Sequence, residues 1–275
     1  MSNAFKLAVL DFYNGEENQG MRCIKDILKD YENDLSYQLF DVRGKAEVPE
    51  LEAFDIFICS GGPGNPLEGD GVWDQNFYDW LDLLWEYNQY TSGPKKHVFF
   101  ICHSFQMACH HFGVGEVTPR KSMSFGTFPV HQTDAAFDDP IFGKLPAIYY
   151  AADFRRYQLV EPDLDRIREM GAEILALEKI RPHVPLERAV MAIRFSQEIV
   201  GVQFHPEADS QGLLKHFRSE PQYVHILNTY GKDKYERMIT DLSHPDKIER
   251  THNTVLPTFL DLAIEQLKNA PVLVD

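Results

Sequence analysis

Three residues of this 275-residue chain have the types that nucleophilic catalysis requires: Cys102, His205 and Glu207. A thiol attacks a carbonyl carbon once a base takes its proton, and the base works best when a third group fixes its tautomer and angle. His205-Pro206-Glu207 supplies base and orienting acid within three residues. Cys102 ends the apolar run Val98-Phe99-Phe100-Ile101 and opens a helical pattern. That is how a nucleophile is raised on a sharp strand-to-helix turn, at the helix N-terminus that favours a thiolate.

A second element is the loop Ser60-Gly61-Gly62-Pro63-Gly64-Asn65-Pro66. It lacks the phosphate-loop pattern and the dinucleotide fingerprint. Its glycines can present unblocked backbone N–H groups, which acyl transfer needs at a developing oxyanion together with the N–H of the residue after the nucleophile. The other cysteines, Cys23, Cys59 and Cys109, are read as small buried hydrophobes. His103, His110 and His111 crowd near Cys102, but adjacent helical positions point in different directions and no carboxylate-supported His-x-x-x-His pair occurs, so no metal site is expected.

The elements that must position these groups follow from the apolar pattern. Strands are expected over Lys6 to Phe12, Tyr37 to Val42, Phe54 to Cys59 and Val98 to Ile101. Between them run helical stripes: Met21, Ile24, Ile27, Leu28 and Tyr31, then Trp73, Phe77, Trp80, Leu81 and Leu84, and after Cys102 the stripe Phe105, Ala108, Cys109 and Phe112, which Gly113 stops. Strand alternating with helix predicts a doubly wound, mostly parallel α/β sheet with helices on both faces. From Lys121 the rhythm changes to short strands, Ser124 to Val130, Ile148 to Ala151 and Ile174 to Leu177, which predicts an antiparallel extension. Val190 to Phe195 and Ile199 to Phe204 flank Ser-Gln-Glu and read as a hairpin delivering His205. Residues 211–275 read as a helical extension packed on a domain of residues 1–210, with Leu256, Phe259, Leu260, Ala263 and Leu267 as its last stripe.

Composition narrows the class. A 44% hydrophobic content is enough for a sizeable core, and a net charge of −15 disfavours nucleic acid or an anionic membrane as partner. No apolar run approaches the ~20 residues of a membrane span, and no signal peptide is read at the N-terminus. Four unpaired cysteines fit a reducing compartment, so a cytoplasmic location is expected.

Gly-Gly-Pro-Gly, then a Cys-centred elbow, then Gln-Phe-His-Pro-Glu, in that order, resemble the class I glutamine amidotransferases, triad glutaminases such as the glutaminase domain of GMP synthase. The resemblance covers roughly residues 6 to 207. It implies Cys102 as nucleophile, His205 as base and then acid, Glu207 as its orienter, Gly62 and His103 as oxyanion-hole donors, and Gln106 and Gly64 as holders of the substrate glutamine. It implies no cofactor. Both glycines of the family's GxCxGxQ elbow are replaced, by Phe100 and Ser104, so the packing beneath the nucleophile must be solved differently: Ser104 is small enough to fit, and Phe100 implies a more open strand neighbour.

Tyr150 to Arg155 stands where many relatives carry a Ser- or Asn-His-Gly stretch that meets the ends of glutamine. There Asp153 is expected to pair with an α-amino group and Arg155 with a carboxylate; surface charge is the other reading of both. About 68 residues follow Glu207, too few for a nucleotide-dependent synthase, so ammonia would pass to a separate synthetase subunit or to none. Hydrolysis of γ-glutamyl amides or peptides, and a non-catalytic glutamine-binding or regulatory module, are the alternatives.

Overall fold

A computed structural model describes residues 4–182 and 187–270. Its first half alternates as the apolar pattern predicts: β1 (Phe5–Asp11), α1 (Gln19–Lys29), β2 (Leu35–Asp41), β3 (Ile56–Cys59), α2 (Trp73–Tyr90), β4 (His97–Ile101) and α3 (His103–Phe112). Asn18 caps α1 by accepting from the Met21 N–H, and Gly113 ends α3 in the left-handed conformation that glycine adopts without strain. There follow β5 (Glu116–Gln132), β6 (Ile148–Val160), α4 (Leu164–Met170), β7 (Glu173–Glu178), β8 (Val190–Arg194) and β9 (Ile199–Val202). Four helices close the described chain: α5 (Ser210–Arg218), α6 (Glu220–Tyr230), α7 (Lys232–Leu242) and α8 (Ile248–Asn269).

Among the described residues, nine strands form one sheet in the order β2-β1-β3-β4-β9-β8-β6-β5-β7. The strands β2, β1, β3, β4 and β9 pair in parallel. From β9 onward every pairing is antiparallel. The expected mostly parallel sheet is therefore corrected to one that is parallel in one half only. The antiparallel half is also longer-stranded than its pattern suggests, because β5 and β6 form a ribbon with a register break between Pro119 and Ser124. That break, Pro129, and the inward charges Asp153 and Arg155 interrupt the apolar alternation and hide the ribbon's length from a reading of hydropathy.

Period-two alternation sends Leu7, Val9, Ile58, Phe99 and Ile101 to one face, under α1 and α8. It sends Ala8, Leu10, Phe57, Val98 and Phe100 to the other, under α2 and α3. Both faces are dry, which is why these strands read as unbroken apolar runs. A third cluster joins α5 and α7 to Phe125 and Phe154 of the ribbon. Among the described residues, no helix is long and apolar enough to cross a membrane.

Candidate active site

The motif-bearing loops follow three consecutive strands of the sheet order. The glycine loop leaves β3, Cys102 leaves β4, and the segment to His205 leaves β9. Neighbouring strands lie about 4.8 Å apart, so the topology brings together side chains separated by some hundred positions in sequence. They stand at the carboxyl ends of the parallel strands, where open α/β sheets place their ligands.

Cys102 has φ 49° and ψ −94°, a conformation that costs a non-glycine residue strain. The turn is held from both sides: its N–H donates to the Val202 carbonyl at 2.8 Å and its carbonyl accepts from Gln106 N–H at 3.0 Å. Ser104, in place of a glycine, reinforces the elbow. Its hydroxyl accepts from Ile101 N–H at 3.0 Å and lies 2.8 Å from the Cys59 carbonyl, tying the elbow to the end of β3. Phe100 is accommodated by its neighbour. It stands opposite Gly201 of β9, and a Cβ at Gly201 would come within 2.6 Å of the Phe105 ring and 3.2 Å of Phe100 Cβ.

His205 is fixed by its backbone and its ring. Its N–H donates to the Ala152 carbonyl at 2.9 Å, and Nδ1 lies 2.8 Å from Glu207 Oε1. Burial presses the imidazole toward neutrality, but the Glu207 carboxylate and then the Cys102 sulfur outweigh it and hold the pKa well above the usual histidine value. Glu207 is almost fully buried. Its carbonyl faces His252 Nδ1 of α8 at 3.0 Å, and the next turn is held by Arg22 of α1 on Asp209 and by Glu249 of α8 on Ser210.

Gly61 leaves room for the imidazole, since a Cβ there would lie 2.9 Å from His205 Cε1 and 2.9 Å from the Tyr13 hydroxyl. Gly62 is equally constrained: a Cβ would meet the Phe12 carbonyl at 2.8 Å. Among the described residues, neither the Gly62 nor the His103 backbone N–H donates a hydrogen bond within the chain. The His103 ring itself is buried beside Phe12, and burial, with Arg43 adding to it, pushes its pKa down to about 3. Gly64 has φ 89° and is exposed next to Arg43.

Gln106 is buried, and its amide donates to Gln203 Oε1 at 3.0 Å; Gln203 Nε2 in turn lies 3.7 Å from Cys102 Sγ. Asp153 and Arg155 are neither surface charges nor open to a ligand. They are 2% and 3% exposed and pair with each other at 3.0 Å. Ser124 donates to Asp153 at 2.7 Å, and Glu178 stands 3.5 Å from Arg155. Strand alternation decides this, because Phe154 between them takes the other face.

That other face borders a cavity of about 520 Å3 beside His205, Glu207, Gly62 and Tyr13, walled also by Phe125, Phe154 and Phe217. A more polar cleft of about 950 Å3 lies over β1 and β2, sharing the wall Glu17 to Gln19 but touching none of the three chemical residues. Tyr13, Gln203 and His252 carry no motif of their own, although Gln203 falls inside Gln-Phe-His-Pro-Glu. Burial first, then the charges at Glu207 and Cys102, holds the Tyr13 hydroxyl well above its usual pKa and therefore protonated. Among the described residues, no group of His, Cys, Asp and Glu is arranged to hold a metal ion.

Solved structures share this architecture. A glutamine amidotransferase from Thermotoga maritima superposes with a TM-score of 0.70 at 15% identity, covering 96% of this chain and 99% of that one. The glutaminase domain of Trypanosoma brucei CTPS, with bound acivicin, gives 0.59 at 14% identity, covering 95% and 94%. A glutamine amidotransferase from Methylobacillus flagellatus gives 0.56 at 12% identity, covering 97% and 92%. The fold is that of a class I glutamine amidotransferase. No curated protein matches the sequence, but the class-I glutamine amidotransferase family model matches residues 18–217, and the chain belongs to that family.

Proposed function

We propose that the chain is a cysteine-dependent amidohydrolase that splits the side-chain amide of glutamine through a thioester of Cys102. The observation carrying this reading is the position of His205, whose Nδ1 lies 2.8 Å from Glu207 while its pKa is raised by that carboxylate and by the Cys102 sulfur. An imidazolium between a carboxylate and a sulfur is what a thiolate nucleophile needs as counter-ion and as later proton donor.

The sulfur attacks the amide carbon, and the developing oxyanion is received by the Gly62 and His103 N–H groups. His205 then protonates the leaving nitrogen, the C–N bond breaks and ammonia departs. Water, losing its proton to the now neutral His205, attacks the thioester carbon and releases glutamate and the free thiol. Glu207 keeps the Nδ1 proton in place throughout. Gln106 acts through Gln203, setting that amide against the sulfur, rather than by touching substrate. Asp153 and Arg155 brace β5, β6 and β7 and are assigned no contact with substrate.

The test is release of ammonia and glutamate from L-glutamine by wild type and Cys102→Ala. Turnover in wild type with loss of at least about 1,000-fold in the variant is expected; equal turnover in both overturns the assignment.

A further inference from the structure

The cavity beside the triad is built for more than ammonia. Gly62, the proposed oxyanion donor, and His205, the group that hands a proton to the leaving nitrogen, both border it, so the acyl group and whatever is attached to that nitrogen share it, the latter beside His205. Free glutamine, whose acyl group must itself reach Gly62 in the cavity wall, fills only part of about 520 Å3, a volume typical of sites for larger molecules.

Next to His205 the wall is aromatic, while Glu17, Asn18, Gln19, Gln222 and His225 also line the cavity. Phe154 lies 6.0 Å from the His205 ring, 5.2 Å from Phe125 and 5.9 Å from Phe217, measured between ring centroids. Tyr13 closes the side toward Gly62, and Leu213 and His216 join Phe217 from α5. Burial lowers the His216 pKa, so that ring is neutral near pH 7. Among the described residues, none lining the cavity is a lysine or an arginine, and the nearby Arg155 is spent on Asp153 and Glu178. An aromatic wall where the His205 imidazolium is already paired with Glu207 takes an apolar ring rather than a carboxylate.

We infer that the preferred substrate is a γ-glutamyl amide of an aromatic or arylalkyl amine, its ring seated between Phe125, Phe154 and Phe217. This rests on the Cys102 reading above and changes only the leaving group. The sulfur forms a bond to the γ-carbon, the C–N bond breaks, and the electron pair leaves with the amine, which takes its proton from His205. Water then completes the cycle and frees glutamate.

The experiment compares γ-L-glutamyl benzylamide, γ-L-glutamyl ethylamide and L-glutamine; the first two have alkylamine leaving groups of similar chemistry. The benzylamide is expected to show a kcat/KM at least about 10-fold above both others. Phe217→Ala should collapse that ratio, and so should Phe217→Leu, which keeps apolar bulk and guards against a folding defect. Glutamine used as well as or better than the benzylamide overturns this inference and leaves the Cys102 reading standing. No turnover of any of the three amides overturns both. A benzylamide preference that survives both Phe217 variants overturns the placement of the ring.

Discussion

Phe100 and Gly201 face each other across β4 and β9, and the side chain missing from Gly201 is the space that Phe100 and Phe105 occupy. The bulk that the elbow gained before its cysteine is thus matched on the strand that leads to His205. Gly201→Ala would drive a Cβ to 2.6 Å from the Phe105 ring. Such overpacking costs roughly 1–3 kcal/mol, and it should appear as a lower urea midpoint with an unchanged slope. Adding Phe105→Leu should recover part of the loss, since the two sites are in contact.

Ser104 gives a second test of the elbow. Ser104→Ala removes the hydroxyl between Ile101 and Cys59 while keeping the Cβ. A net loss of about 1–2 kcal/mol is expected for buried groups left unpaired, read by urea unfolding, together with slower reaction of Cys102 with an alkylating agent as the elbow loosens.

His252 links the last helix to the chemistry, with Nδ1 3.0 Å from the Glu207 carbonyl. On the proposed mechanism its role is to position Glu207. His252→Ala should lower kcat on the order of 10-fold through misplacement of the triad, with KM little changed, and His252→Asn should restore much of it. A drop confined to thermal stability would show that the contact only holds α8.

On the proposed mechanism the raised pKa of His205 should set the alkaline limit of activity. The competent form carries a proton on His205, so activity falls as pH rises through that raised value. Glu207→Gln removes the charge that most strongly raises it, and the descending limb of kcat/KM should move to lower pH. An unmoved limb would detach Glu207 from His205. The same shift contributes stability that is present below the unfolded histidine pKa and lost as pH rises through the folded one.

Two other histidines act in the opposite sense. Burial pushes His97 down to about 4, and burial with Arg43 pushes His103 to about 3. Below the ordinary value of about 6.5 the unfolded chain takes up these protons and the folded chain does not. Stability therefore falls with pH in that window, by up to about 1.4 kcal/mol per unit for each group. Thermal midpoints measured between about pH 7 and pH 4.5 should drop steadily, and His97→Gln should flatten the slope.

Much of this architecture is legible because dry parallel strands and their helices leave long apolar runs. The loops at their ends carry motif residues whose meeting needs only strand adjacency. The ribbon of β5 and β6 reads short because Pro129, Asp153 and Arg155 break its pattern, although the charges are satisfied inside the protein. The expected partners of Asp153 and Arg155 differ from the observed ones for one reason: a single step along a strand turns a side chain to the opposite face, and Phe154 holds the step that faces the cavity. His252 and Phe217 come from the helical region past residue 210, where sequence shows an apolar stripe but not which turn lies against the triad.

The central claim is that Cys102 is the one nucleophile among four cysteines. Incubation with acivicin followed by peptide mapping of the intact chain tests it directly. One adduct on Cys102, absent from Cys102→Ser and strongly slowed in His205→Asn, is the predicted result. Labelling of Cys23, Cys59 or Cys109 instead, or labelling of Cys102 at the same rate without His205, would contradict it.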